Sequence, residues 1–126
     1  MYKYEKQNRS INENMIKELN NTGYEEILKE KRTAVIEFYS QTCPHCKRTE
    51  AGLRELVQQL DKAQTDTVVF AKCNIESEPA LVKRLEIQAL PTLLFIQEGQ
   101  IRNRKAGFTH KLILQEEIRK LAGPNH

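Results

Sequence analysis

Residues 34–47 read A-V-I-E-F-Y-S-Q-T-C-P-H-C-K, an apolar run that ends in the C-x-x-C motif Cys43-Pro44-His45-Cys46. Ala34, Val35, Ile36, Phe38 and Tyr39 are apolar or β-favouring, and Glu37 is the single charge among them. A short continuous run of this kind predicts a strand buried on both faces. Pro44 sits where a helix tolerates proline best, because the missing amide would have had no partner in the first turn. Beyond it Leu53, Leu56, Val57 and Leu60 recur at helical spacing, which predicts a helix through Leu60 that buries one stripe. Lys47, Arg48, Arg54 and Gln58 fall on its wet side. A strand thus delivers two cysteines to the start of a helix.

That placement has a chemical consequence. The reactive form of cysteine is the thiolate, and the free amides and positive dipole end of a helix start stabilise a negative sulfur. Cys43, one step ahead of the helix, is the expected nucleophile and the more exposed sulfur. Cys46, inside the first turn, is the expected resolving thiol.

Composition narrows the field. A chain of 126 residues with 39% hydrophobic and 29% charged side chains suits one soluble globular domain with a real core. The net charge of +3 is spread among interleaved acids and bases, which argues against nucleic acid or an anionic membrane as partner. Three cysteines, two of them in one motif, do not make a secreted disulfide framework. Residues 1–14 are polar and without period, and read as an extension ahead of a domain over 15–126. They lack the apolar core of a signal peptide, and no run approaches a membrane span, so the expected location is cytoplasmic.

Taken in order, Met15 to Leu19 reads as a short edge strand or as part of a helix begun near Ile11. Thr22 is the expected N-cap of a first helix, with Glu25 completing a capping box, an apolar stripe of Tyr24, Ile27 and Leu28, and an end near Lys31. After the central strand and long helix, Thr67 to Ile75 is a second strong strand, and the intervening helix implies a right-handed parallel crossover. Pro79 opens a short helix turning Leu81, Val82 and Leu85 inward. Thr92 to Gln97 and Gln100 to Lys105 form a hairpin about Glu98-Gly99, ended by Gly107. A last amphipathic helix runs from about Thr109 to Leu121, with Leu112, Ile113, Ile118 and Leu121 apolar, and Gly123-Pro124 stops it.

The C-x-x-C motif after a strand, within this β-α-β-α-β-α-β-β-α order, resembles the thioredoxin family over roughly residues 16–122. The resemblance implies an α/β thioredoxin fold, a central mixed β-sheet flanked by helices on both faces. It also implies roles for particular positions. Leu90-Pro91 matches the family's cis-proline, which stands opposite the cysteines, with the backbone of the preceding residue pairing with substrate. Glu37 and Lys72 occupy the places of the family's buried acid and neighbouring lysine, so Glu37 is expected to have a raised pKa and to exchange a proton with Cys46. Glutamate for the usual aspartate is a departure. Gly107 and Phe108 resemble the loop that lines the substrate groove, together with Gln41, Thr42 and Leu90. Thr42 stands where the family commonly has tryptophan, which removes apolar area beside Cys43.

Between the cysteines, Pro44-His45 replaces the usual Gly-Pro and is the pair found in periplasmic disulfide-forming oxidases. A histidine at the helix start favours thiolate and hence the reduced form, which makes the disulfide a stronger oxidant. The expected potential lies between about −270 mV, typical of thioredoxin, and about −120 mV, typical of that oxidase, and towards the latter.

The function so implied is thiol-disulfide exchange with protein disulfide substrates through Cys43 and Cys46. It needs no cofactor beyond that redox-active pair and no metal. A thioredoxin-reductase-like or other thiol donor supplies electrons, and the expected state is a monomer. Two readings stand beside it: a redox-responsive binding module, and a disulfide oxidase or isomerase acting outside the cytosol. A metal or iron–sulfur site using Cys73 as a third ligand is disfavoured, since a closed site needs four ligands. Cys73 itself reads as an inert buried thiol, and His110 and His126 as surface residues.

Overall fold

The run that opens the sequence reading forms the centre of a five-stranded sheet. A computed structural model describes residues 16–122. Its strands are β1 (Ile16–Glu18), β2 (Thr33–Tyr39), β3 (Val68–Asn74), β4 (Thr92–Gln97) and β5 (Gln100–Ala106). Its helices are α1 (Asn21–Lys29), α2 (Pro44–Gln59), α3 (Lys62–Thr67), α4 (Pro79–Arg84) and α5 (Lys111–Ala122). The strand order is β1-β3-β2-β4-β5. β1 and β2 run parallel to β3, and the hairpin β4–β5 adds antiparallel to the other edge of β2.

Alternation along the strands builds a core on each face of the sheet. On one side Val35, Phe70, Leu93 and Phe95 meet Leu53, Leu56 and Val57 of α2 and Leu114, Ile118 and Leu121 of α5. On the other, Ile36, Phe38, Cys73, Leu94 and Ile96 meet Tyr24 and Ile27 of α1 and Leu81 of α4. The mixed sheet with helices on both faces is therefore present. Each buried aliphatic side chain of α2 contributes roughly 1.5–3 kcal/mol, which fixes this helix on the sheet and its first turn in space. At the β4–β5 turn Gly99 has φ +74°, and a Cβ there would come within 2.7 Å of the Leu28 carbonyl oxygen, so glycine alone fits.

Several local expectations are corrected. Asn20, not Thr22, caps α1, its side chain accepting from Gly23 N at 2.8 Å, and Glu25 pairs with Arg84 instead of closing a capping box. Asparagine outranks threonine as a cap, and here it stands one residue before the first turn. Residues 62–67 form the unforeseen helix α3, capped reciprocally by Asp61 and Gln64, so Thr67 ends a helix and β3 begins at Val68. α5 begins at Lys111, after His110, whose carbonyl receives the first helical bond from Leu114 N. Leu112 and Ile113 are 63% and 46% exposed, and Leu114 is the buried residue of that turn. The stretch 15–19 resolves in favour of a strand at Ile16–Glu18, while Gly123-Pro124, His126 and the first fourteen residues lie outside the described residues.

β2 buries Ala34 through Phe38 completely, Glu37 included at 0% exposure. Neither carboxyl oxygen of Glu37 has a hydrogen-bond partner. Burial, then the nearby Glu50, push this carboxyl from an ordinary 4.5 up to about 8, against weaker opposing pulls from Lys72 and Arg54. The unfolded chain releases this proton near 4.5 and the folded chain near 8, so the protein loses stability as pH rises between the two. At about 1.4 kcal/mol per pH unit, Glu37→Leu should gain on the wild-type protein by about 5 kcal/mol across that interval. Urea unfolding at a series of pH values reads this directly, and a difference that stays flat with pH would contradict a buried neutral Glu37.

Candidate active site

The C-terminal end of β2 gathers the expected site residues, because three strand ends meet there. Phe38 is in register with Thr92, and Thr92 with Ala106. Pro91 and Gly107, one step beyond those partners, therefore lie beside the residues that lead from β2 to Cys43. Gly107 N donates to the Pro91 carbonyl at 2.7 Å and closes that wall. The Leu90–Pro91 peptide is cis, with Pro91 buried and Leu90 half-buried beside it.

Cys43 is the N-cap of α2. Its Sγ accepts the Cys46 amide at 3.1 Å, as a serine or aspartate oxygen does at other helix starts. Pro44 occupies the first helical position. Cys43 and Cys46 form a disulfide with Cα atoms 5.3 Å apart, within the range such bonds require. Cys46 is 2% exposed, whereas Cys43 is only half-buried, which orders the two sulfurs for attack from solvent.

His45 projects outward into a small cluster. Its ring centroid lies 6.5 Å from that of Phe108, and the Arg48 guanidinium sits over the Phe108 ring at 4.3 Å. Arg48 also approaches His45 Nδ1 at 3.4 Å. An arginine always donates, so the imidazole nitrogen facing it acts as acceptor. Phe108 remains 41% exposed, giving an apolar platform beside the disulfide. Gln41 and Thr42 are exposed at the rim, and the Gln41 carbonyl accepts from Lys47 Nζ at 3.0 Å. Thr49, fully buried one turn below Cys46, accepts from Thr109 N at 3.2 Å and ties the loop after Gly107 to α2.

Behind Cys46 the arrangement departs from expectation. Glu37 and Lys72 are in register on β2 and β3, yet the lysine does not pair with it. Lys72 Nζ bonds Glu50 Oε2 at 3.0 Å, and Arg54 reaches the same oxygen at 2.5 Å. This pairing leaves Arg54 half-buried rather than wet. Cys46, Glu50 and Arg54 follow one another at i, i+4 spacing along one face of α2. Glu50 and Lys72, with Tyr39, Ser40, Gln41, Cys46 and Lys47, line a polar cleft of about 400 Å³. Tyr39 donates to both oxygens of Glu18 at 2.8 and 2.9 Å, and its ring carries Lys72 Nζ at 5.3 Å.

Sequence reasoning missed Glu50, Arg54, Thr49 and the Arg48–Phe108 stack. For the first two a signal existed, the four-residue spacing from Cys46. The stack and the Thr49–Thr109 bond join positions 60 residues apart and had none. Cys73 is buried in the opposite core among apolar neighbours, and desolvation, ahead of two nearby carboxylates, pushes its thiol up to about 11. It stands apart from the other cysteines, buried and held as a thiol at neutral pH.

The thioredoxin family model matches residues 15–120. A thioredoxin from Buchnera aphidicola is 31% identical over 82% of this chain and 93% of its own length. Protein disulfide-isomerase A4 of Bos taurus is 26% identical over 90% of this chain, which spans 17% of that larger protein. The oxidised crystal structure of mitochondrial thioredoxin 3 from Saccharomyces cerevisiae superposes with a TM-score of 0.72 at 29% identity, covering 84% of this chain and 95% of the other. With a helix-capping cysteine pair at disulfide distance, the chain belongs to the thioredoxin family and is a thioredoxin-like thiol-disulfide oxidoreductase.

Proposed function

We propose that the protein reduces disulfides in other proteins, through a Cys43–Cys46 couple more oxidising than that of an ordinary thioredoxin. The observation that carries this reading is Cys43 Sγ capping α2, with His45 and Arg48 in the same turn. A thiolate accepts the Cys46 amide better than a disulfide sulfur does, so the reduced state gains most from the helix start. In the forward reaction the Cys43 thiolate attacks one sulfur of the substrate disulfide, the substrate bond breaks, and its other sulfur leaves as a thiolate that takes up a proton. Cys46 then loses its proton and attacks Cys43 Sγ, which releases the second substrate thiol and leaves the internal disulfide. Two electrons pass from the protein to its substrate.

Glu37 holds the proton that this cycle moves. With a carboxyl near 8 it is mostly neutral at pH 7 in the disulfide form. When a dithiol donor reduces that disulfide, Cys46 leaves as thiolate and takes the proton from Glu37. In the forward reaction the proton returns to the Glu37 carboxylate as Cys46 attacks. Leu90 with Pro91, Gly107, Phe108 and Thr42 form the substrate contact surface around Cys43, and a thioredoxin-reductase-like or other thiol donor restores the dithiol. A second reading, an oxidase or isomerase acting outside the cytosol, draws on His45 and on the likeness to a disulfide isomerase.

Insulin reduction with dithiothreitol tests the chemistry. Cys43→Ser should fall to background, while Cys46→Ser should accumulate mixed disulfides with substrate proteins. Equilibration against glutathione buffers separates the two readings: a potential between about −270 and about −180 mV fits the reductant, and a less negative one the oxidase. His45→Ala should lower the potential by about 30 mV for each tenfold loss in thiolate stabilisation, and no change would remove His45 from the account.

A further inference from the structure

The cation placed to serve Glu37 has been taken by another carboxylate. Lys72 is the register partner of Glu37 across β2 and β3, and both side chains project to the α2 face of the sheet. The ammonium nevertheless bonds Glu50 at 3.0 Å, and the same Glu50 oxygen receives Arg54. Glu37, fully buried, is left with no donor on either oxygen. The other titratable groups on this side are Cys46 on α2, Lys47 at the cleft rim, and Tyr39, which is held by Glu18 of β1. β4 presents apolar Leu93 opposite Glu37. On α5 the sheet-facing residues are Leu114, Ile118 and Leu121, and Glu117 is engaged by Asn103, Lys105 and Lys120. Among the described residues Lys72 and Arg54 are the cations whose charge acts on Glu37, and Glu50 holds both.

We propose that Glu50 is a positioning residue for the proton step: by holding Lys72 and Arg54 in the cleft, it keeps Glu37 without a cationic partner and so keeps it as the proton store for Cys46. The assignment rests on the reading of Glu37 given above. It differs from a surface salt bridge because the Glu50 side chain is 16% exposed and shares a wall of the cleft with Cys46. Competition for a shared cation predicts a coupling and not merely an effect: Lys72 should matter little to Glu37 while Glu50 is present and much once it is gone.

The test is a carbon-13 carboxyl titration of Glu37 by NMR in the disulfide form, which needs no substrate and stands whether or not insulin is reduced. In Glu50→Gln the freed Lys72 should turn to Glu37 and lower its midpoint by about one pH unit or more. Adding Lys72→Met to that variant should bring the midpoint part of the way back, Arg54 remaining free and the Glu50 charge absent, while Lys72→Met alone should shift it much less. Equal effects of Lys72→Met in both backgrounds would overturn the proposal, as would an unmoved midpoint in folded Glu50→Gln. If Glu50→Gln does not fold, Glu50→Asp, shorter by one methylene, should lower the midpoint in the same direction, and no shift there would sink the idea. The pH profile of mixed-disulfide resolution by Cys46 should move with the NMR midpoint; a midpoint that moves while the profile does not would detach Glu50 from the proton step.

Discussion

One hydrogen bond, from the Cys46 amide to Cys43 Sγ, joins the fold to the chemistry. A helix start has amides without partners, and the residue before it normally supplies an oxygen. Here the cap is a sulfur, so the group that terminates the unpaired ladder is also the group that reacts. The position of that sulfur depends on β2, which is buried on both faces and cannot shift along the sheet without turning its whole side-chain pattern over. It depends equally on Leu53, Leu56 and Val57, which fix α2 from the other end. Strand burial, helix packing and thiolate stabilisation are consecutive consequences of one stretch of sequence.

The same stretch carries a cost. Glu37 takes a place in β2 that an apolar side chain would fill at less expense, and its carboxyl has no partner. An orphaned acid in a core strand has no structural benefit, since a buried polar group without a hydrogen bond destabilises the fold. In the proton-store role proposed above, the same group is neutral in one redox state and ionises in the other. A well-paired Glu37 would stay a carboxylate and could not deliver a proton when the disulfide opens.

Much of this was legible in the residues. Burial on both faces of β2 followed from a short apolar run with one charge in it, and the helix from Leu53, Leu56 and Val57 at helical spacing. The C-x-x-C after a strand carried the family, and Leu90-Pro91 with Gly107 carried the opposite wall. The failures have physical causes. Asn20 and Thr22 are both acceptable caps, and the helix takes the earlier one, with Asn20 extended and accepting from Gly23 N. α3 has no buried residue, so no periodicity could announce it. Leu112 and Ile113 are apolar but lie off the buried stripe, which Leu114, Ile118 and Leu121 define. Register correctly placed Lys72 beside Glu37, but the ammonium at the end of a four-carbon stem pairs where the local field is strongest. That partner, Glu50, lies 22 residues away in sequence.

α2 therefore has two working sides. Outward it presents the cations Lys47 and Arg48 in the turn that follows Cys43, with His45 beside Arg48 and Phe108 beneath the Arg48 guanidinium. Inward it presents Cys46, Glu50 and Arg54 over Glu37 and Lys72. Positive charge on the outer side favours a thiolate at Cys43, whereas on the inner side burial, and after it Glu50, keeps the Glu37 carboxyl protonated well above the usual carboxylate range. The two cysteines lie three residues apart in different surroundings, Cys43 half-buried at the helix start and Cys46 buried against the cleft that Glu50 and Lys72 line. In the exchange proposed above, that difference makes Cys43 the sulfur that attacks and Cys46 the one that must first give up a proton. The order of events in the exchange is thus built into the two faces of a single helix.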